Sequence, residues 1–238
     1  MATEFITRVF SSKQLADPLM RAARTLLLSA LVSLGFMPSA AAHPHAWIDL
    51  RSTVIIDDTG KVTGIAQEWL FDPLYTLFIT YGIDPDPVKQ EKYFMDLART
   101  NLQNLRELNY FTEVRVEGSD ALFAPATDYE SELREERLWM KFTIPLQTPV
   151  DPLLSKFDFA IYDPTYYIEM LHLENETVSF GGVGAGSADC EALITKPTPS
   201  VEMMIMAQAL PPGASSDDLV EEGSLGELFA ERVDVSCQ

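Results

Sequence analysis

Two periodicities alternate along the chain. Over 46–56 a period of two sets Ile48, Leu50, Val54 and Ile56 on one face and His45, Trp47 and Asp49 on the other, as in a half-buried strand. Asp57-Asp58-Thr59-Gly60 predicts a turn, and 61–72 the second strand of a hairpin with a four-residue loop. Pairing Ile56 with Lys61 places Asp49 opposite Glu68 and His45 opposite Asp72. Asp72-Pro73 ends that strand, and 73–81 predicts a short apolar helix. After the loop Asp84-Pro85-Asp86-Pro87 the period lengthens: Tyr93, Leu97, Leu102, Leu105 and Leu108 predict a long helix over 88–108.

Beyond Asn109 the pattern predicts antiparallel strands over 110–116, 130–145, 156–162, 166–173 and 177–180, broken by Pro145, Pro149, Pro152 and Pro164. A flexible glycine loop follows over 181–186, then strands over 190–195 and 232–237. Between those strands lies Val201-Glu202-Met203-Met204-Ile205-Met206-Ala207. Thioethers suit copper, but this setting is that of a packing helix or strand in which methionine fills gaps. No repeat is visible. The expectation is an α+β fold: one domain of mainly antiparallel strands, with one long helix and a shorter one packed on the sheet.

The first 42 residues stand apart. Arg21 and Arg24 precede an apolar run over 26–37, and Ala40-Ala41-Ala42 forms a small-residue cleavage site, the layout of an export signal; Met20 is an alternative start. Cleavage after Ala42 leaves His43 as the N-terminus of a 43–238 domain. It also removes four basic and two acidic side chains, so 13 basic and 34 acidic ones remain, a net −21 against −19 for the whole chain. Such acidity excludes nucleic acid as the main partner and opposes an anionic membrane surface. No run is long enough to span a bilayer, so the cleaved chain is not membrane-spanning. Cys190 and Cys237, in an oxidising compartment and without CxxC spacing, predict a structural disulfide.

Catalytic motifs are missing. The glycines at 181, 182, 184 and 186 lack the Lys-Ser/Thr of a phosphate loop, and no Gly-x-Ser-x-Gly elbow supports a hydrolase triad. Two of the three histidines, however, are His43 and His45, the first and third residues after the cleavage site. An N-terminal histidine carries an amine and an imidazole together, and a second imidazole two residues on follows the same strand edge; imidazole suits zinc, copper and nickel. Pro44 removes the amide that a square-planar amino-terminal site needs. His172 reads as a satisfied strand residue first and a weaker ligand candidate second.

His43-Pro44-His45-Ala46-Trp47-Ile48-Asp49 after a signal, Trp69-Leu70-Phe71-Asp72, and Tyr162-Asp163-Pro164-Thr165-Tyr166-Tyr167 together resemble the exported DUF1007 family over nearly the whole cleaved chain. Its members are often labelled periplasmic components of ABC-type transport systems and are encoded beside, or fused to, nickel/cobalt-type permeases; one takes part in zinc uptake. The resemblance therefore implies periplasmic handling of a divalent transition metal, zinc foremost, with nickel, cobalt or copper as alternatives, and a membrane metal permease as partner. The acidic stretch around 211–222 departs from many members.

Placed on the residues, this gives a metal site of His43, His45, Asp72 and Asp163, the two aspartates sitting in sharp turns, with Asp49 and Glu68 orienting the imidazoles. Capture and transfer of a metal, without catalysis, is the leading function. A copper oxygenase with an N-terminal histidine site and a non-metal scaffold using the aromatics of 162–167 compete with it. A two-lobed solute receptor is disfavoured by the 196 residues left after cleavage.

Overall fold

The computed structural model describes residues 44–173, 178–184, 189–209 and 224–238. The export signal, His43 and the acidic stretch around 211–222 lie outside them.

The hairpin forms as its alternation requires: β1 (Ala46–Ile56) and β2 (Val62–Phe71) are antiparallel, with the even residues of β1 buried. Its register differs from the expected one by two residues. Asp49 faces Leu70 and Arg51 faces Glu68, because Lys61 joins the turn through its bonds to Asp57 and a bulge follows at Ile55/Ile56. A shift of two keeps every side chain on its expected face.

Asp72 caps α1 (Pro73–Thr80) and Asp86 caps α2 (Pro87–Leu105); each carboxylate accepts two backbone N–H groups of the first turn, with proline at the first helical position. The buried stripe of α2 is Phe94, Ala98 and Leu102, rotated from the expected one; Tyr93 and Leu108 are exposed, and Tyr93 bonds through its hydroxyl to Ile79 O. The chain leaves α2 through a short 3-10 segment, Arg106–Phe111, that ends in left-handed backbone: Asn109, Tyr110 and Phe111 have φ of 51°, 56° and 57°. The buried rings of Tyr110 and Phe111 hold this costly conformation in place.

The single strand expected over 130–145 is a hairpin, β5 (Thr127–Arg134) and β6 (Arg137–Val150), turning at Glu135-Glu136 with both φ positive. Nothing in that pair signals a turn, since glycine and asparagine are absent. Pro145 and Pro149 do not break β6. Pro145 lies beyond the residues paired with β5 and opposite the irregularity at Val62/Gly64, where a missing N–H is tolerated.

The remaining strands are β3 (Thr112–Val116), β4 (Ser119–Asp120), β7 (Phe157–Ile161), β8 (Ile168–His172), β9 (Val178–Gly181), β10 (Cys190–Thr195) and β11 (Arg232–Cys237); α3 (Val201–Ala209) carries the methionines. The fold is α+β, but with two sheets and three α-helices among the described residues. One sheet runs β5-β6-β2-β1-β8 with β9 also on β1, the other β10-β11-β7-β3-β4. β8 and β9 pair with β1 in parallel, against the antiparallel expectation. Side chains from both sheets and α2 form one core around Trp69, Phe142, Phe157 and Phe159. Cys190 and Cys237 are disulfide-bonded and face each other across β10 and β11, as the sequence predicts.

Candidate functional site

The N-terminal end of β1 is held from both sides by aspartates. On one side Asp72 N–H donates to Trp47 O (2.9 Å), and Trp47 N–H donates to Asp72 Oδ2 (3.1 Å), while Oδ1 takes the N–H groups of Leu74 and Tyr75. On the other side Asp163 shapes the turn into β8: Oδ1 accepts Thr165 N–H (2.9 Å), Oδ2 accepts Ile168 N–H (3.0 Å), and the Thr165 hydroxyl lies against both. Ile168 is the register partner of Ala46, and His45 N–H donates to Tyr167 O (2.8 Å). Both aspartates are buried. Of the roughly four lone-pair positions of an ionised carboxylate, about three are taken in each.

His45 itself is exposed, with its ring 4.5 Å from that of Tyr167 at 31°. Trp47, on the same outer face, is 45 % exposed. Beside this end runs a groove of about 410 Å³ lined by Pro44, Tyr166, Glu169, Met204 and Phe229 among others. The Tyr166 hydroxyl donates to Glu169 Oε1 (3.1 Å), and burial together with that carboxylate pushes the phenol pKa up. Glu169 is the acidic neighbour that sequence reasoning missed. Its signal was present: two residues beyond Tyr167 on a strand, it shares that residue's face.

Three of the sequence motifs thus converge at one end of one strand. A family model described as "Protein of unknown function (DUF1007)" matches residues 28–237, nearly the whole chain. The chain belongs to the DUF1007 family. It is also 26 % identical over 216 residues to an uncharacterized protein of Haemophilus influenzae (strain ATCC 51907 / DSM 11121 / KW20 / Rd), covering 90 % of this chain and 98 % of that one. No solved structure matches it.

The other candidates of this DUF1007 chain lie elsewhere. Asp49, four residues along β1 and so roughly 13 Å from His45, accepts from Arg137 Nη1 (2.7 Å), whose Nε and Nη2 also hold Phe71 O and Leu70 O. Glu68 accepts from the Trp139 indole N–H (3.0 Å), and Arg134 stacks on that ring, 3.2 Å from its centre. Both acids are thus engaged with arginine and tryptophan rather than imidazole. His43 lies outside the described residues. Among the described residues no three His, Cys, Asp or Glu side chains converge on one point.

His172 occupies a different environment. It is buried, with Nδ1 3.0 Å from Glu231 Oε2 and Nε2 2.9 Å from Ser52 Oγ, and its backbone N–H donates to the same Oε2 at 2.8 Å. Ser, His and acid stand in triad order although 120 and 59 residues separate the pairs, which no local motif reveals. Ser52 is 2 % exposed on the core face of β1, so its hydroxyl meets no substrate. The trio is a polar joint between β1, β8 and the residue preceding β11. Burial pushes the Glu231 pKa up, but the hydrogen bonds from the His172 ring and backbone outweigh it and hold the carboxyl below the ordinary range.

Proposed function

We propose that this DUF1007 protein captures a divalent transition metal at the N-terminal end of β1 and passes it to a membrane permease, acting as a carrier and not as an enzyme. The observation that carries this reading is that Asp72 and Asp163, from two distant motifs, grip the end of β1 from either side and hold His45 there with its imidazole at the surface. In this reading an export signal is removed after Ala42 and the protein works in the periplasm. His43 then contributes its amine and imidazole, and His45 a second imidazole. Asp72 and Asp163 chiefly hold the strand that presents them, and each has about one lone-pair position left on Oδ2 for a metal. Borderline nitrogen and carboxylate donors suit zinc first and also accept nickel, cobalt or copper. No helix among the described residues is long and apolar enough to cross a membrane.

The test is calorimetric titration of protein beginning at His43 with zinc, nickel, cobalt and copper. The reading expects about one ion per chain, weakening as acid protonates the imidazoles, and loss of binding in His43→Ala/His45→Ala. Equal affinity in parent and double variant ends the reading.

A further inference from the structure

The largest anomaly on the surface is α1. Leu74, Leu77, Phe78 and Tyr81 are 70, 64, 80 and 89 % exposed. Their spacing of three, four and seven residues sets them in one stripe along the helix and its C-terminal cap. The opposite face is fixed to the fold. Tyr75 stacks on Phe71 at 5.0 Å, the Thr76 hydroxyl accepts Leu138 N–H (3.0 Å), and Ile79 packs on the core. Rotating the helix to hide the stripe would break all three contacts. The helix carries no acidic or basic side chain, and Asp84 beyond it is paired with Lys89 at 2.5 Å. In a chain of net charge −19, an uncharged apolar stripe of two turns is not an ordinary solvated face.

We propose that this stripe is the contact surface of a weak symmetric dimer, α1 of one copy against α1 of a second. A two-fold interface must complement itself. An uncharged apolar stripe does so, whereas the acidic remainder of the surface repels its own copy. The area fits the same occupant: with about 150–250 Å² for an aromatic side chain and less for a leucine, four residues this exposed offer at most roughly 600 Å². That is somewhat less than the ~800 Å² per partner of a standard stable interface, which places the association in the weak, concentration-dependent range. Charge then sets the sign of its salt dependence. Two copies at −19 repel at long range, salt screens that repulsion, and the dimer tightens as ionic strength rises. A basic partner docking on the same face would be weakened by salt.

Sedimentation of the purified protein over roughly 5–200 µM, at about 0.05 and 0.5 M salt, decides the matter. The parent is expected to rise from one-chain toward two-chain mass with concentration, and further at the higher salt. Leu77→Glu/Phe78→Glu, which alters only exposed positions and should keep the parent's circular dichroism and melting temperature, is expected to stay at one-chain mass. Leu154→Glu, 82 % exposed elsewhere, should dimerise like the parent. A parent that remains monomeric throughout overturns the proposal, as does a double variant that dimerises normally or a dimer weakened by salt. A monomeric parent that binds phosphatidylcholine vesicles through the stripe also overturns it, and assigns the stripe to lipid.

Discussion

His45 immediately precedes β1 and His172 ends its parallel neighbour β8, yet they share almost nothing chemically. Strand parity separates them. His45 continues the outer face of β1, where its ring meets Tyr167 and solvent; His172 points from β8 into the core, where both ring nitrogens and the backbone N–H are engaged by Ser52 and Glu231. Even the nearby carboxylates divide in the same way. Glu231 accepts from an imidazole inside the protein, whereas Asp72 and Asp163 accept from backbone and leave the imidazole of His45 at the surface. The lesson is that a histidine's capacity for chemistry follows from which face its strand presents and from what a distant segment brings against it.

The contrast predicts a large stability effect at the inner site. His172→Phe removes the ring hydrogen bond to the buried Glu231 carboxylate and leaves that charge under-compensated, so urea unfolding should show a loss of about 3–5 kcal/mol. Acid should sharpen the same point. The Glu231 pKa is lowered in the folded state, so its contribution is fully present above the ordinary glutamate range and is lost as pH falls through the lower folded value. In Glu231→Gln the acid limb of the stability profile should flatten. An unchanged limb would assign acid lability to other carboxylates such as Glu113, whose bonds from Arg232 and Tyr162 overcome its burial and also lower its pKa.

The next effect comes from the far end of β11, the strand that follows Glu231. Cys190 and Cys237 close a separation of 47 residues, which the chain-entropy account values at roughly 4 kcal/mol. Reduction should lower the melting temperature while leaving metal titration at His45 unchanged, because the bridge lies in the other sheet. A loss of metal binding on reduction would show that the two regions are coupled.

These contrasts were only half legible in the sequence. The hairpin, α1, the cysteine pair and β10 and β11 follow from local alternation, caps and spacing, and the structure has them. The two-residue register shift was hidden because a bulge leaves no compositional mark. The turn at Glu135-Glu136 was hidden because neither residue is a turn former. Parallel pairing of β8 and β9 with β1 is decided by contacts more than a hundred residues apart, which periodicity does not encode. The same holds for the inner site: nothing near His172 announces Ser52 or Glu231. At the outer site the residues His45, Asp72 and Asp163 were legible as types and turns, whereas the backbone bonds that occupy the two aspartates were not.

A smaller effect tests the support of the outer site. Gly226 passes so close to the Asp163 turn that a Cβ there would lie 1.9 Å from Asp163 O, and Gly226 N–H donates to Pro164 O. Gly226→Ala should therefore cost about 1–3 kcal/mol by forcing backbone apart. It should also shift the environment of Tyr166, which stacks on Phe229 at 4.1 Å, measurable by near-ultraviolet circular dichroism. A variant as stable as the parent would mean that the turn yields easily and does not fix the end of β1.

The smallest effect on the metal-free protein is expected at His45. Its side chain is exposed and its ring contact is to a half-exposed tyrosine, so His45→Ala should change unfolding free energy by less than about 0.5 kcal/mol. With metal the order of the two histidines should reverse. Zinc at about 100 times its dissociation constant should stabilise the parent by about 2.7 kcal/mol, since it binds the folded state. His45→Ala should lose that increment, whereas a folded His172→Phe protein should retain it despite its lower baseline. Thermal melts of the three proteins with and without zinc measure both quantities in one series. If zinc stabilises His45→Ala as much as the parent, the outer histidine is only a surface residue, and the distinction between the two sites reduces to burial alone.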